Sequence, residues 1–335
     1  MNLRKRCLPP GWYPQNPDKI GEFLASFALK APDNPALGGL SAPRPAIAAV
    51  APHAGWYYSG AIAAQAVAVL AASASVPPGE TGSETRSIHS APRPVTVAVI
   101  GGHLPGTQPP LFALETAAET PLGPLELDGE LRDILFRRLK GAEDCGRDNT
   151  VEVLLPMVKY FFPAAKLLWM RFPADIRSFD AGKELAKAAV TLGRRLFVLG
   201  STDLTHYGNN YGFTRDFSGN QDSSFSGNRD SGQKALDWVK KVNDARFIEA
   251  VEAGDPAVVL DRAEGEKSAC SAGAVLGVMG YAAESGAAGS LLAYGTSADI
   301  TMEEDGGIHS TPRGIHSTPR ALPDSFVGYG AFCWR

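Results

Sequence analysis

Three histidines stand at sequence positions from which they could build a metal site. His53, His103 and His206 each follow an apolar segment that predicts a buried strand, in PAIAAVAPHAGW, VTVAVIGGH and RRLFVLGSTDLTHYG. Open α/β sheets collect their ligands at the carboxyl ends of strands, so we expect these imidazoles at one edge of a sheet. For a single histidine, a hydrogen-bonded structural role is the more frequent alternative. Three at the ends of separate strands favour a site.

The remaining histidines belong to a repeated phrase. His89, His309 and His316 occur in near-copies of one seven-residue motif, at 87–93, 307–313 and 314–320. Metal binding by these HS(T/A)PR repeats is one interpretation. Tolerated expansion of surface loops is the interpretation that we prefer, because such loops accept insertions readily.

Cys270 precedes a predicted helix, SAGAVLGVMGYAAESG. The dipole and the unpaired N–H groups of a helix amino terminus stabilise a thiolate. A thiolate beside imidazoles is a competent ligand for iron, copper or zinc. The alternative is a small buried apolar residue, which describes most free cysteines. The other three cysteines form no CxxC pair, which argues against a disulfide framework and a zinc ribbon.

Composition indicates a globular enzyme or binding protein of the cytoplasm. The chain has 335 residues, 44% hydrophobic and 20% charged, with a formal net charge of -4. That charge provides no basic surface for nucleic acid or an anionic membrane. The basic start, MNLRKRC, is not followed by the apolar stretch of a signal peptide, and the apolar runs are shorter than the roughly 18 residues of a membrane span.

Strands and helices alternate along the chain, which predicts a layered α/β sheet with helices on both faces. Ser59 is expected to cap a helix through GAIAAQAVAVLAAS, and Asp128 to cap ELRDILFRRLK. NTVEVLLPMVKYFF is expected to be one helix. We expect a single domain over 1–335, with low-complexity loop insertions at 74–94, 209–232 and 302–322.

Seven motifs, in order, resemble the Memo-like family, whose bacterial members are called AmmeMemoRadiSam system protein B. They are PHAGWYYSG, TPLGPLELD, NTVEVLLPMVKYFFP, STDLTHYG, ACSAG, LLAYGTSAD and VGYGAF. The resemblance covers the chain apart from the three insertions. It implies a central mixed sheet between helical layers, similar to the class III extradiol dioxygenases.

The resemblance also implies a site that binds iron or copper through two histidines and a cysteine. On this sequence these are His53 in PHAGW, His103 in GGHLPG and Cys270 in ACSAG, with Asp203 and His206 of STDLTHYG close by. Zinc is a further candidate for such a set. The cysteine takes the place of the acid in the dioxygenases' two-histidine, one-carboxylate set, which argues against ring-cleaving oxygen chemistry.

The chain departs from the family at three motifs. The usual GPSHH is GGH, with Leu104 in place of the second histidine, and the usual EHSIE is DNTVE, with Asn149 in place of a histidine. The Gly-Arg after the family's cysteine is Ser271-Ala272. Asn149 or Glu152 could orient a ligand imidazole by a hydrogen bond, and a helix surface charge is the alternative for Glu152.

Two functions from different classes remain open. The first is a metal-dependent redox enzyme acting on an unknown small substrate, with radical-SAM and AMMECR-like proteins of the same bacterial system as partners. In it His206 is the general base and Asp203 orients it, or both join the metal. The second is a non-catalytic binding protein whose cleft holds a metal or a peptide.

Overall fold

The computed structural model describes residues 2–28, 45–75, 94–217, 229–303 and 322–335. All three copies of the HS(T/A)PR phrase and most of the three predicted insertions lie outside these residues. In the described parts of the second insertion, a short 3-10 helix spans Asn209–Tyr211 and a longer helix begins at Arg229. The loop insertion predicted over 209–232 therefore begins with a 3-10 turn, and its last four residues belong to a helix.

Strands and helices alternate through most of the described chain. The strands are β1 (Leu3–Arg4), β2 (Ala48–Ala51), β3 (Val95–Leu104), β4 (Leu111–Phe112), β5 (Ala117–Ala118), β6 (Leu125–Glu126), β7 (Ala142–Glu143), β8 (Lys166–Pro173), β9 (Arg195–Ser201), β10 (His206–Gly208), β11 (Gly289–Thr296) and β12 (Ser325–Trp334). The helices are α1 (Pro17–Ala28), α2 (Trp56–Ala74), α3 (Gly129–Arg138), α4 (Asn149–Glu152), α5 (Leu155–Phe161), α6 (Arg177–Thr191), α7 (Arg229–Trp238), α8 (Asp244–Ala253), α9 (Pro256–Gly265), α10 (Ala272–Ala283) and α11 (Ser297–Glu303). A π-helical segment, Val239–Asn243, joins α7 to α8.

Most strands belong to one mixed sheet, which confirms the predicted fold class. In the described residues its order is β10-β12-β2-β9-β3-β8-β4-β7, and β11 also pairs with β12. The central strands β2, β9, β3 and β8 are parallel, whereas β12 runs antiparallel to β2. A separate small sheet consists of β1, β5 and β6, in which β5 and β6 pair antiparallel shortly before α3.

Side chains of the central strands alternate between two apolar layers. In β3, Ala98 and Ile100 pack toward α6 and α10, whereas Val97 and Val99 pack toward α2 and α5. This period of two places helices on both faces of a sheet whose parallel strands are apolar throughout. Within the described residues, α2 is the one helix long and apolar enough to span a membrane, and it packs on β2 and β12.

Two predicted helix starts have different outcomes. Asp128 caps α3 as expected, because its Oδ1 accepts a hydrogen bond from the Leu131 N–H at 3.3 Å. Ser59 does not cap α2, which begins three residues earlier at Trp56, and its hydroxyl instead donates to the Ala54 carbonyl at 3.1 Å. The single helix expected over NTVEVLLPMVKYFF is divided into α4 and α5.

The parallel strands place three polar segments at one edge of the sheet. Ala51 at the end of β2 is paired with Ser201 at the end of β9, and Gly200 is paired with Ile100 of β3. The chain segments that leave these strands therefore lie side by side. His103 is the penultimate residue of β3 and does not lie beyond it, because that strand extends to Leu104.

Candidate metal centre

His53 lies two residues after β2 and is almost fully buried, with 1% of its surface exposed. Its Nδ1 is 2.9 Å from the Ser201 hydroxyl, and its Nε2 is 3.2 Å from Cys270 Sγ. The ring is therefore held on one nitrogen by the end of β9, and the other nitrogen is directed at the thiol. A histidine ligand in proteins has this arrangement, with one nitrogen for the metal and one for an orienting partner.

His103 has a left-handed backbone, with φ of 55°, which is uncommon for a residue with a side chain. Its Nδ1 lies 3.0 Å from Asp148 Oδ2, and its ring meets the His53 ring edge-on with centroids 4.8 Å apart. One third of the His103 side chain is exposed. Since Nδ1 is bound to the carboxylate, Nε2 is the nitrogen that remains for a metal.

Cys270 places its sulfur next to the two imidazoles. It lies just before α10, and its N–H donates to the Asp203 carbonyl at 3.1 Å. Gly273, in the first turn of α10, makes this position possible, because a Cβ there would lie 2.2 Å from the Pro173 carbonyl oxygen. The helix start can therefore approach the end of β8 closely.

One ligand atom from each of His53, His103 and Cys270 lies within 4.8 Å of the other two. Among the described residues, this is the single group of three or more histidine, cysteine or acidic side chains that could hold one metal ion. The structure therefore brings together the three residues on which the sequence hypothesis depends.

The charges of this group depend on one another. Burial opposes ionisation of Cys270, but the neighbouring His53 and His103 outweigh burial and hold the thiol pKa well below its usual range. Burial also opposes protonation of His103, yet hydrogen bonds to Asp148 and Cys270 raise its pKa to about 10. The pKa of His53 is raised in the same way by Asp203 and Cys270 against burial. Without metal, these interactions favour the thiolate of Cys270 and the protonated form of both imidazoles.

Asp203 and His206 lie beside this group rather than in it. Asp203 is buried, its Oδ1 accepts a hydrogen bond from the His53 N–H at 2.7 Å, and its Oδ2 lies 3.9 Å from His53 Nε2. The same Oδ2 lies 4.0 Å from His206 Nε2. The His206 ring is partly exposed and meets the Tyr211 ring at 5.0 Å. Burial raises the pKa of Asp203, in spite of the attraction of His53.

A family model described as "Memo-like protein" matches residues 4–309. The chain belongs to the Memo-like family. A MEMO1 family protein of Pyrobaculum arsenaticum is 28% identical over 221 residues, covering 62% of this chain and 70% of the relative. One from Methanopyrus kandleri is 26% identical over 307 residues, covering 87% of this chain and 90% of the relative.

Similarity to a solved structure is weaker. The crystal structure of an uncharacterized protein from Escherichia coli K12 is 15% identical and superposes with a TM-score of 0.35. The match covers 71% of this chain and 86% of that one. The family assignment therefore depends on the sequence comparisons, which confirm the resemblance carried by the seven motifs.

Sequence reasoning missed Asp148, the orienting partner of His103 in this Memo-like chain. Its Oδ1 accepts a hydrogen bond from the Thr150 N–H at 2.9 Å, and its Oδ2 lies 3.3 Å from Arg171 Nη2. Burial disfavours the charged form, but His103, Thr150 and Arg171 outweigh it and hold the pKa of Asp148 well below its usual range. Asp148 is the first residue of DNTVE, so this motif is the sequence signal that could have identified it, although only Asn149 and Glu152 were considered there from sequence.

Arg171, also missed, joins Asp148 to the backbone around His103. Its Nε donates to the Gly102 carbonyl at 3.0 Å, and its Nη1 lies 3.4 Å from Asp144 Oδ1. The arginine is buried on β8, where it is paired with Gly101 of the neighbouring strand. A buried guanidinium with two carboxylates and a carbonyl is well satisfied, so this interaction can hold the unusual backbone of His103 in place.

The two DNTVE residues proposed to orient an imidazole do something else in this Memo-like protein. Asn149 Nδ2 donates to the His53 carbonyl at 3.0 Å, so it holds the backbone and not the ring. Glu152 is buried, which excludes a surface charge, and it accepts hydrogen bonds from the Cys7 N–H at 2.8 Å and from Leu8 N–H and Tyr13 Oη at 3.0 Å. Both roles expected for Glu152 are therefore wrong, because it anchors the amino-terminal segment.

Proposed function

We propose that this Memo-like protein binds a transition metal at His53, His103 and Cys270 and acts as a metal-dependent redox enzyme on a small substrate. The observation that supports the proposal is the convergence of two imidazole nitrogens and one sulfur within 4.8 Å. Iron and copper are the metals we propose, with zinc as the third candidate.

The chemistry of the donor set fits this group of metals. Thiolate and imidazole suit copper, iron and zinc, whereas magnesium and calcium prefer oxygen ligands. Ser201 and Asp148 hold the Nδ1 atoms of His53 and His103, so both rings are oriented by the protein before a metal binds. Three protein ligands leave at least one position for water or substrate.

Asp203 and His206 are positioned to handle protons next to that centre. A metal in the donor set would supply Lewis acidity or one-electron chemistry. The partly exposed imidazole of His206 can receive a proton from a bound substrate, and Asp203 Oδ2, 4.0 Å from its Nε2, can orient the ring once the contact tightens. Asp203 also binds the His53 backbone, so one carboxylate serves both histidines.

One observation favours the second candidate function, a binding protein without catalysis. Asn149, in the position of a family histidine, directs its amide to the His53 carbonyl instead of presenting a titratable group to the centre. A centre with fewer proton-handling groups can still hold a metal or a ligand. The two functions therefore share the metal site and differ in turnover.

Metal analysis of protein purified without a histidine tag tests the proposal. The wild type is expected to hold close to one metal ion per chain, and His53→Ala and Cys270→Ala are each expected to lose it. Cys145→Ala, which changes an exposed cysteine, is the matched control and should retain the metal. Wild-type protein that binds none of iron, copper or zinc would overturn the proposal.

Oxygen consumption by the metal-loaded protein separates the two candidate functions. Uptake that exceeds that of metal-loaded His206→Gln indicates the redox enzyme, and stoichiometric metal without uptake indicates the binding protein.

For partners we propose the radical-SAM and AMMECR-like proteins named with the bacterial family, acting in the cytoplasm. If those proteins co-purify with the tagged chain, and do so equally with the metal-site variants, the association does not depend on the metal.

A further inference from the structure

A buried polar cluster lies beneath the loop that joins β9 to β10, outside the proposed metal ligands. Asp244 Oδ1 accepts hydrogen bonds from the Thr205 N–H at 3.1 Å and from Thr205 Oγ1 at 2.5 Å. Asn243 Nδ2 donates to the same Thr205 hydroxyl at 2.9 Å, and the Tyr294 hydroxyl donates to Asp244 Oδ2 at 2.8 Å. The cluster therefore joins α8 and β11 to Thr205.

Burial makes these hydrogen bonds consequential. Thr205 and Asp244 have no exposed surface, and Asn243 is 3% exposed. A buried carboxyl and amide cost free energy unless each is hydrogen-bonded, and an apolar side chain could fill the space without that cost. Buried polar groups that are satisfied specify one arrangement of the chain, which apolar packing alone does less well.

The backbone on both sides of the cluster is unusual. Asn243 ends the π-helical segment and Asp244 begins α8, so two consecutive side chains reach the same threonine. Single π-helical turns inside helices are frequent at functional sites. Gly328 of β12 leaves room for the carboxylate, since a Cβ at that position would lie 2.1 Å from Asp244 Oδ2.

The loop at residues 202–205 is thereby held at both ends. At its start, the Asp203 carboxylate accepts from the His53 N–H, and the Asp203 carbonyl accepts from the Cys270 N–H. At its end, Thr205 is held by Asp244, and its carbonyl accepts from the Gly328 N–H at 2.9 Å. His206 is the next residue, and its ring lies beside Asp203.

The geometry points to Asp244 as a positioning residue that acts through Thr205 to fix the His206 imidazole next to the His53–His103–Cys270 centre. The part of this inference that concerns the metal rests on the proposed function above. The part that concerns the imidazole does not, because it follows from hydrogen bonds of the chain itself.

A matched pair of substitutions at Thr205 tests the inference. Thr205→Val keeps the shape of the side chain and removes the hydroxyl, whereas Thr205→Ser keeps the hydroxyl and removes a methyl group. In carbon–proton NMR spectra of the metal-free, histidine-labelled chain, Thr205→Val is expected to shift or broaden the ring resonances of His206. Thr205→Ser is expected to leave them in place. His206→Gln assigns those resonances.

Binding of Co²⁺ by the same variants provides the second measurement. Changes around the residues that orient a ligand usually weaken metal binding by about 10- to 100-fold. Thr205→Val is therefore expected to weaken Co²⁺ binding about 10-fold and to change the visible spectrum of the complex, because the loop that Thr205 anchors also contains Asp203, which holds the backbone of His53. Thr205→Ser should match the wild type in both.

Tyr294→Phe separates positioning from general stability. It removes a hydrogen bond from the same carboxylate of Asp244 but leaves both Thr205 contacts, so it should lower the melting temperature without moving the His206 resonances. Thr205→Val protein that is folded and shows wild-type His206 resonances would overturn the inference. So would Tyr294→Phe shifting those resonances as far as Thr205→Val does. Wild-type chain that binds no Co²⁺ counts against the proposed function, and the NMR comparison still decides the role of Asp244.

Discussion

Asp148 lies 3.0 Å from His103 Nδ1, although 45 residues of sequence separate the two. The contact leaves Nε2 of the ring directed toward Cys270 and His53, and it keeps both the carboxylate and the imidazole charged. A carboxylate behind a histidine is the usual way in which proteins raise the basicity of a metal ligand and fix its orientation.

Removing this carboxylate charge should weaken metal binding. Asp148→Asn is expected to lower the affinity for Zn²⁺ by about 10- to 100-fold, because His103 loses the partner that orients it. Competition titration with a chelating dye measures the affinity. Asp180→Asn, on the exposed surface of α6, is the control and should bind as the wild type does. Equal affinities in the two variants would show that Asp148 does not act on the metal site.

The low pKa of the Cys270 thiol predicts selective alkylation. Because the pKa of Cys270 is held well below its usual range, a larger fraction of this thiol than of an ordinary cysteine is thiolate, the reactive form, at the same pH. Burial and Glu152 raise the pKa of Cys7 to about 11, so almost none of that thiol is ionised. Iodoacetamide followed by peptide mass spectrometry should therefore modify Cys270 at least about 10-fold faster than Cys7.

Zn²⁺ added before the reagent should protect Cys270 and leave the exposed Cys145 reactive. His53→Ala should slow modification of Cys270, because it removes a positive charge that stabilises the thiolate. Modification of Cys270 no faster than that of Cys7 would contradict the predicted ionisation.

Asp244 predicts a pH dependence of stability. Burial raises its pKa from 3.8 to about 6, in spite of its hydrogen bonds to Thr205 and Tyr294. The folded state therefore binds this proton more tightly than the unfolded state does. The stability that the protonated carboxyl contributes grows as the pH falls from about 6 toward 3.8, and it is lost as the pH rises through 6. The free energy of unfolding of the wild type, measured relative to Asp244→Asn, should increase by about 1 kcal/mol between pH 7 and pH 5.

Urea denaturation at the two pH values measures this difference, and the comparison with Asp244→Asn cancels the titration of other groups. If the difference in free energy of unfolding between the two proteins stays constant from pH 7 to pH 5, or falls, the pKa of the Asp244 carboxyl is not raised in the folded state.

Glu152 predicts the stability of the amino-terminal segment. Glu152→Gln replaces a carboxylate oxygen by an amide, so at least one of the Cys7 and Leu8 N–H groups loses its acceptor. The expected loss of stability is about 1–3 kcal/mol, the usual cost of an unsatisfied buried donor. Tyr13→Phe removes only the phenol hydrogen bond and should cost about 1 kcal/mol. Urea denaturation at pH 7 measures both, and a Glu152→Gln variant as stable as the wild type would contradict the anchoring role.

The strands of the sheet could be predicted because their signal is local. The apolar run before His103 predicts β3, and the alternation of Val97 and Val99 with Ala98 and Ile100 is what the two layers require. The three residues that converge in the centre were also named from sequence: strand ends and a helix start marked them as candidates, and the resemblance to the Memo-like family implied that His53, His103 and Cys270 form one ligand set.

The partners of those residues could not be predicted, since they come from distant parts of the chain. Asp148 and Arg171 reach His103 through the pairing of β3 with β8 and through α4, which no local pattern specifies. The hydrogen bond from Asn243, at the end of the π-helical turn, to Thr205 likewise joins residues that are 38 positions apart in the sequence. The start of α2 at Trp56 could not be predicted because Gly55, which precedes it, has no side chain to cap the helix, whereas Ser59 is a typical capping residue.

The left-handed backbone of His103 costs folding free energy at a residue whose side chain is needed for binding. A side chain in that conformation costs roughly 1–2 kcal/mol, a cost that glycine would avoid. Among variants without the imidazole, His103→Gly should therefore melt at a higher temperature than His103→Ala, while neither retains the metal.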